Sequence, residues 1–343
     1  MSLKFKTLLY LLLFTTFCNA QQSSELHGVV NWLTIEEAMA KYKEVPKPLI
    51  IDFYTDWCGW CKRMDKTTYS DENTANYLNS YFYPVKFNAE GKDTITYLGK
   101  IYKPTSEAPK TPHEFALELM QGHMSYPTTI FLNGFDESKN AFSLNMRAPG
   151  YLDIPKIEPM LIFTVENAFR NSNYDDFDAG FKKAFKDTSV TAKYEKINWV
   201  SPAEAFKENS SNKKKTIVLI HTQWCNTCTV IQRASFTDDD VMSYVDSTYR
   251  IVNFNPEISD TLYLDGNKFV NEKQPQFPFH QLAISLTRKN LIIPTMALLD
   301  EENKLLDAIP FYLPAPLLNK VLHFYGEDIY KTKSWMDYAT QTP

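Results

Sequence analysis

The chain has 343 residues, enough for about two domains, and its 44% hydrophobic and 14% aromatic content is typical of a globular protein with full-sized cores. Its formal net charge is −5. An acidic balance of this kind makes nucleic acid and anionic membrane surfaces poor candidates for partners.

The N-terminus predicts a signal peptide over residues 1–20. Two lysines are followed by an apolar run from Leu8 to Phe17, and Cys18-Asn19-Ala20 then offers a cleavage site after Ala20. The run is shorter than the roughly 20 apolar residues that a membrane span requires. Lipidation at Cys18 is the weaker alternative. We therefore expect export, to the periplasm or outside the cell, with no stable membrane span after cleavage.

The cysteine count points to local chemistry. Of the five cysteines, Cys18 leaves with the signal peptide, and the remaining four form two CxxC pairs. Disulfides persist in exported proteins, yet the mature sequence has no cysteines outside the two CxxC pairs that could form a disulfide between distant parts of a domain. The mature cysteines are Cys58, Cys61, Cys225 and Cys228.

The first pair lies between a predicted strand and a predicted helix. An amphipathic helix over 32–42 has Thr34 as its predicted N-cap, with Glu37 three residues later. The run "PLIIDFYT" predicts a strand buried on both faces. In "CGWCKRMDKTT" both cysteines fall in the first turn of a helix, and Ser70 is the predicted N-cap of the next one.

The rest of the first half predicts further alternating elements. "YFYPVKFNA" indicates a strand, 94–103 a hairpin around Gly99, and "HEFALELMQ" a short helix. "PTTIFLN" predicts a strand that begins at a proline, and a closing helix follows it.

The second half repeats the motifs of the first in the same order, at an offset of 167 residues as far as the proline motif. Trp57-Cys58 aligns with Trp224-Cys225, "VKFNAE" with "VNFNPE", and Pro127-Thr128 with Pro294-Thr295. After the proline motif the offset shortens slightly, and "YLDIPKIEPMLIFTVENAF" aligns with "YLPAPLLNKVLHFYGEDIY". In the second copy Thr237 is the predicted N-cap. We expect domain 1 over 21–181, a linker over 182–195 and domain 2 over 196–343.

The spacing of each cysteine pair allows three interpretations: a zinc site, a structural disulfide or a redox-active pair. A zinc site needs four ligands, and zinc-binding pairs are usually separated by about 12–20 residues, whereas these two lie in different halves of the chain. A structural disulfide between residues so close in sequence constrains the unfolded chain only modestly. A redox pair fits best, because the first turn of a helix offers unpaired N–H groups that favour the thiolate. We expect no metal and no cofactor.

These motifs resemble the thioredoxin superfamily. The matching stretches are "LIIDFYTDWCGWCK", "VKFNAE" and "YPTTIFLN" in the first half, and "IVLIHTQWCNTC", "VNFNPE" and "IPTMALLD" in the second. The resemblance implies an α/β fold of two tandem thioredoxin-like domains, each a central mixed β-sheet flanked by helices. It also implies cis peptide bonds before Pro127 and Pro294.

The resemblance further implies roles for single residues. Cys58 is the attacking cysteine, Cys61 the resolving one, and Asp52 the buried acid that accepts a proton from Cys61. Cys225 and Cys228 repeat the pair. The implied substrate-binding residues are Trp57, Trp60, Tyr126, Pro127, Trp224, Ile293 and Pro294.

The second copy departs from the family pattern, because Leu219 stands where Asp52 stands in the first. Proton transfer at Cys228 is therefore in question. His113 and His280, in the long segment before each proline, are interpreted as helix caps or packing residues rather than catalysts.

We expect an exported thiol–disulfide oxidoreductase of the reductase or isomerase type, acting on protein thiols and disulfides with a separate electron donor or acceptor. The alternative is a non-catalytic tandem module that binds or chaperones exported proteins through exposed aromatic residues. A third hypothesis is an internal relay in which one domain reduces the other.

Overall fold

The computed structural model describes residues 29–207 and 214–341. The predicted signal peptide, 1–20, lies outside the described residues. The first half forms α1 Ile35–Glu44, β1 Leu49–Tyr54, α2 Gly59–Thr67, α3 Glu72–Tyr81, β2 Tyr83–Asn88, β3 Ile95–Tyr97, β4 Lys100–Tyr102, α4 Glu114–Leu119, β5 Thr128–Asp136, β6 Ala141–Pro149, α5 Ile154–Val165, α6 Tyr174–Lys186 and α7 Ser189–Tyr194.

The second half repeats this order. It forms β7 Trp199–Val200, α8 Pro202–Ala205, β8 Lys215–Ile220, α9 Asn226–Val230, α10 Asp239–Thr248, β9 Tyr249–Phe254, β10 Leu262–Leu264, β11 Asn267–Phe269, α11 Gln281–Leu286, β12 Thr295–Leu299, β13 Leu305–Pro310, α12 Ala315–Gly326 and α13 Trp335–Gln341.

The first sheet has the strand order β2-β1-β5-β6. Strand β1 runs parallel to β2 and antiparallel to β5, so the sheet is mixed. Ile50 and Ile51 of β1 are fully buried in separate apolar clusters, as expected for a strand covered on both faces. The predicted central strand and mixed α/β class are confirmed.

The second sheet has the order β13-β12-β8-β9-β7 and is built in the same way. Strand β8 runs parallel to β9 and antiparallel to β12. The edge strand β7 corresponds to a single parallel bridge between Leu33 and Val85 in the first half. The repeat in the sequence is therefore a repeat of topology.

The hairpin predicted at 94–103 is confirmed, and the second half contains a hairpin at the corresponding position. Strands β3 and β4 turn at Leu98 and Gly99, and β10 and β11 turn at Asp265 and Gly266. All four turn residues have positive φ, the left-handed conformation that a two-residue hairpin turn requires. Gly99 and Gly266 adopt this conformation without the steric cost that a Cβ would bring.

The helix caps agree with the sequence at some positions and differ at others. Thr34 and Glu37 form the predicted capping box. The prediction for Ser70 and Thr237 was wrong, because the next residue is the N-cap in each copy, Asp71 and Asp238. Both hydroxyls instead donate to the carbonyl four residues earlier, which leaves the neighbouring carboxylate to accept the N–H groups of the new helix.

The segment expected to be a linker, 182–195, is largely helical, since it contains the end of α6 and all of α7. Phe177 of α6 contacts Tyr312 of the second half, with ring centroids 5.3 Å apart and planes at 90°. Gly180 permits this approach, because a Cβ there would meet the Tyr312 hydroxyl at 2.7 Å. The two halves therefore share an apolar interface. The domain limits themselves stay a prediction.

Candidate functional site

The first cysteine pair lies where β1 ends and α2 begins. Cys58 is the N-cap of α2, and its backbone N–H donates to Thr55 O at 3.1 Å. Cys58 and Cys61 form a disulfide with an S–S distance of 2.03 Å, and the N–H of Cys61 lies 3.0 Å from Cys58 Sγ. Both cysteines are almost completely buried. The buried strand and the helix start thus hold the pair as the sequence predicts.

Aromatic side chains surround this pair on the exposed side. Trp57 and Trp60 are 56% and 55% exposed, although large apolar rings usually avoid solvent. Trp57 meets Tyr126 edge-on at 6.0 Å between ring centroids. Trp60 contacts Tyr151 at 5.6 Å, and the Arg63 guanidinium stacks over both of these rings. We call Trp57, Trp60, Tyr126 and Tyr151 the aromatic platform.

A glutamate fixes the tryptophan before each pair. Trp57 Nε1 donates to Glu90 Oε2 at 3.0 Å, and Trp224 Nε1 donates to Glu257 Oε1 at 3.2 Å. Lys110 Nζ lies over the face of the Trp57 ring, 6.0 Å from its centroid. An open groove of about 460 Å³, lined by Trp57, Glu90 and Lys110, runs beside the first site. The tryptophan therefore forms an oriented wall of the groove.

Three charged residues on β1, α2 and β2 form a cluster in the first domain. Asp52 is 1% exposed, and its Oδ2 lies 3.4 Å from Lys86 Nζ. Lys86 also pairs with Asp65. Burial raises the pKa of Asp52 to about 6, and the attraction of Lys86 offsets only part of this effect. Within the described chain, Oδ1 of Asp52 has no hydrogen-bond partner.

Both predicted cis peptide bonds are present, Tyr126–Pro127 and Ile293–Pro294. Strands β5 and β12 begin directly after these prolines and pair antiparallel with the ends of β1 and β8. Each proline therefore lies at the edge of the sheet from which the chain enters its CxxC segment. The Trp57–Tyr126 contact links the two segments directly in the first domain.

The second pair has the same backbone setting. Cys225 is the N-cap of α9, and it forms a disulfide with Cys228 at an S–S distance of 1.99 Å. The N–H of Cys228 lies 3.1 Å from Cys225 Sγ. Both cysteines are buried, whereas Trp224 is 62% exposed.

Neutral residues in the second domain replace the three charged residues of the first. When the two CxxC motifs are aligned, Leu219, Asn253 and Gln232 occupy the positions of Asp52, Lys86 and Asp65. Gln232 Nε2 donates to Asn253 Oδ1 at 2.8 Å, and Leu219 is fully buried. This site therefore has no buried acid at the position of Asp52.

A carboxylate from the first half contacts the second pair. Glu166, the C-cap residue of α5, accepts hydrogen bonds from the backbone N–H groups of Asn226 and Thr227 at 3.1 and 2.7 Å. It also accepts from the side chains of both residues, at 3.0 and 2.7 Å. Its Oε2 lies 3.8 Å from Cys225 Sγ. The two halves thus meet at the second cysteine pair.

The histidines of the long segments are structural, which confirms their interpretation as caps. His113 and His280 are fully buried N-caps of α4 and α11. In each ring Nδ1 accepts a backbone N–H, from Phe115 or Leu282, and Nε2 contacts a backbone carbonyl. Neither ring is free for catalysis.

Sequence reasoning missed four residues that contribute to these sites. Glu90 and Glu257 are the last residues of the repeated motifs "VKFNAE" and "VNFNPE". Their recurrence at the same place in both halves was a signal that could have identified them. Lys86, beside Asp52, lies in the first copy of the same motif. Glu166 had no comparable signal, because its partners are distant in sequence and the contact depends on how the halves pack.

Two family models match the chain. Thioredox_DsbH, described as a protein of unknown function, DUF255, matches 21–149, and a thioredoxin-like domain model matches 202–326. With the two mixed sheets and paired cysteines described above, the chain belongs to the thioredoxin superfamily and consists of two tandem thioredoxin-like domains.

Curated relatives match over short segments. The thiol:disulfide interchange protein DsbD of Vibrio vulnificus (strain CMCP6) is 33% identical over 70 residues, 20% of this chain and 12% of that protein. DsbD of Pectobacterium atrosepticum is 39% identical over 51 residues, 15% of this chain and 8% of that protein. The matched segments therefore span about a tenth of these relatives.

Two solved structures illustrate the structural neighbours. A thioredoxin-fold protein from Helicobacter pylori is 17% identical, with a TM-score of 0.31, over 44% of this chain and 92% of that chain. A putative disulphide-isomerase from Bacteroides thetaiotaomicron is 25% identical, with a TM-score of 0.27, over 41% of this chain and 95% of that chain. Among the helices in the described part of the chain, none is long and apolar enough to cross a membrane.

Proposed function

We propose that the chain is an exported thiol–disulfide oxidoreductase that exchanges electrons with protein substrates through Cys58 and Cys61. Export is inferred from the N-terminal sequence. The activity is supported by the thioredoxin-like domains and by the likeness to segments of the thiol:disulfide interchange protein DsbD. The substrates would be protein thiols and disulfides, with a separate protein as electron donor or acceptor.

The observation that carries the proposal is the environment of Cys58. Its sulfur lies at the start of α2, where the N–H of Cys61 points at it and can stabilise a thiolate. The adjacent Trp57 and Trp60 are exposed and oriented, as expected for a surface that contacts a polypeptide. A permanent structural disulfide would need neither feature.

In the reductive direction, the Cys58 thiolate attacks one sulfur of a substrate disulfide. The new S–S bond joins Cys58 to the substrate, and the other substrate sulfur leaves as a thiolate and takes up a proton. The Cys61 thiolate then attacks Cys58 Sγ, which releases the second substrate thiol and leaves the Cys58–Cys61 disulfide. Two electrons pass from the protein to the substrate, and the reverse sequence oxidises a dithiol.

Asp52 is proposed as the group that takes the proton from Cys61 before the second step. A general base is most effective when its pKa lies near the working pH, and burial brings the pKa of Asp52 to about 6. Lys86, 3.4 Å away, would stabilise the carboxylate as it forms. The second domain has Leu219 at this position, so its resolving step would lack the same base.

The proposal is tested by trapping the mixed disulfide. In the Cys61→Ser variant the second step cannot occur, so a substrate peptide with one disulfide should remain attached to Cys58. The adduct is identified by mass spectrometry after acid quenching, and Cys228→Ser is the matched variant for the second pair. Failure of Cys61→Ser to accumulate an adduct, with the substrate disulfide left intact, would contradict the proposal.

The hydrogen bond from Trp57 to Glu90 should matter for substrate binding. Glu90→Ala frees the Trp57 ring, and the loss of one hydrogen bond of about 1 kcal/mol should raise KM roughly fivefold. Because Glu90 does not touch the cysteines, kcat should change less. Steady-state reduction of a peptide disulfide gives both constants, and Glu257→Ala is the control at the second domain. An unchanged KM would show that Trp57 needs no such support.

The exposed tryptophans also favour the binding-module alternative. A chain without its four mature cysteines separates the two functions. If this variant binds unfolded proteins as tightly as the parent, and the parent exchanges no disulfide, then the binding module is the correct function.

A further inference from the structure

We infer that Glu166 of the first domain is a positioning residue for the second site, where it keeps the reduced Cys225 in its thiol form and slows its reactions. The inference rests on the proposed thiol chemistry, but it concerns the reactivity of one sulfur and does not require turnover. The contact of Glu166 with the second site would give the two cysteine pairs different reactivities.

The contrast between the two helix starts supports the inference. Gly59 and Trp60 correspond to Asn226 and Thr227, which lie between the two cysteines of their own pair. Within the described chain, no side chain accepts the N–H groups of Gly59 and Trp60. Both corresponding N–H groups at the second site donate to Glu166. The donors that are open beside Cys58 are therefore occupied beside Cys225.

A carboxylate in this position acts against a Cys225 thiolate in two ways. Its Oε2 lies 3.8 Å from the sulfur, and two negative charges at such a distance repel each other strongly where solvent is limited. It also accepts a hydrogen bond from the Thr227 hydroxyl at 2.7 Å, so this hydroxyl, 3.5 Å from Cys225 Sγ, does not donate to the sulfur. The N–H of Cys228 remains directed at the sulfur.

Hydrogen bonding holds Glu166 in an acceptor-only role. Its two oxygens accept from two backbone N–H groups, one amide and one hydroxyl, which is the pattern of an ionised carboxylate. The contact also buries the second site: Thr227 is 0% exposed, whereas the corresponding Trp60 is 55% exposed. A substrate that reaches Cys225 therefore has to displace the end of α5 or approach from the Trp224 side.

Other titratable groups face this corner from the neighbouring elements. Tyr77 of α3 has its pKa raised, chiefly by burial and then by the charge of Glu166. Glu257 accepts from Trp224, the residue before Cys225. Burial lowers the pKa of His221, after β8, so its ring is neutral at pH 7. None of these groups supplies a positive charge to a Cys225 thiolate at neutral pH.

The internal repeat provides a matched control. Glu327 corresponds to Glu166 when the two closing helices, α5 and α12, are aligned, and it is the C-cap residue of α12. Its carboxylate contacts His323 on the same helix. Replacing Glu327 therefore removes the same charge at the same place in the domain without touching either cysteine pair.

The test compares alkylation of Cys225 in full-length mature protein with Cys61→Ser and Cys228→Ser, so that each site has one thiol. Iodoacetamide labelling is followed from pH 6 to 10, and each cysteine is read separately by mass spectrometry. Adding Glu166→Gln preserves the size of the side chain and removes its charge. We expect the pH midpoint of Cys225 labelling to fall by roughly 1–2 units, and its rate at pH 7 to rise roughly tenfold.

Cys58 in the same sample is the internal reference, and neither Glu166→Gln nor Glu327→Gln should change its labelling. A Cys225 rate that is unchanged or lower in Glu166→Gln would overturn the inference; a lower rate would mean that Glu166 activates the thiol as a base. Neither result bears on the proposed function, since that is tested by the adduct on Cys58.

Discussion

Replacing Cys58 with serine is expected to lower the rate of protein-disulfide reduction by roughly a hundredfold or more, because the nucleophile of the first step is lost. Serine preserves the shape of the N-cap, and its hydroxyl is a good capping group, so α2 should remain intact. The rate is measured as reduction of insulin disulfides with a dithiol donor in excess.

The matched change in the second domain, Cys225→Ser, is expected to leave most of this rate in place. The second site lacks the buried acid, and Glu166 occupies the donors beside its first cysteine. Normal reduction by the double variant, Cys58→Ser with Cys225→Ser, would rule out the CxxC chemistry altogether.

Asp52→Asn is expected to stabilise the first domain at neutral pH while slowing its chemistry. Burial raises the pKa of Asp52 from 3.8 to about 6, so the folded state keeps a proton that the unfolded state has lost. Folded protein then binds more protons between about pH 4 and 6, and the free energy of unfolding falls as the pH rises through this window. Asparagine resembles the protonated acid and avoids this loss.

The expected gain is about 3 kcal/mol above pH 7, and it should vanish near pH 4. Lys86 keeps Asp65 as an ion-pair partner in the variant, so the substitution does not leave its ammonium group without an opposite charge. The measurement is chemical denaturation of the first domain at pH 4, 6 and 8. Asp65→Asn is the control, since its carboxyl is 41% exposed and its loss should change stability little.

The same variant tests the proposed role of Asp52 in the resolving step. Without this base, the mixed disulfide at Cys58 should persist longer, by roughly a hundredfold at pH 7. A gain in stability without a slower second step would mean that Asp52 is buried for another reason. A slower step without the gain in stability would mean that the pKa of Asp52 is not raised.

Much of the fold could be predicted because local patterns repeat in the chain. The apolar run of β1, the capping box at Thr34 and the Gly99 turn each depend on neighbouring residues, and each is found as expected. The strand β6, Ala141–Pro149, was not predicted. Its residues from Phe142 to Ala148 do alternate between apolar and polar, so the period-two signal of a strand with one buried face was present and was overlooked.

The candidate site was predictable to a similar extent. Both cysteine pairs are visible as motifs within single segments, and both cis prolines were implied by the resemblance to the thioredoxin superfamily. The contacts of Lys86 and Glu166 depend on tertiary packing: one lies on the strand beside Asp52, and the other comes from the neighbouring domain. Neither contact can be obtained from periodicity or spacing, because both arise from elements that are distant in sequence.

The two domains therefore share a framework and differ in the groups that handle protons and charge. The first pair has Asp52, Lys86 and an exposed aromatic platform. The second has Leu219, a neutral hydrogen bond and a carboxylate at its helix start. We expect one site to exchange disulfides readily and the other to react slowly while the domains remain in contact.

The most direct test is the rate at which each pair in the fully reduced wild-type chain is oxidised by a small disulfide at pH 7. Acid quenching and differential alkylation report the Cys58–Cys61 and Cys225–Cys228 pairs separately in one sample. The first pair is expected to oxidise at least about tenfold faster than the second. Equal rates, or faster oxidation of Cys225–Cys228, would contradict the assignment of Cys58 and Cys61 as the exchange site.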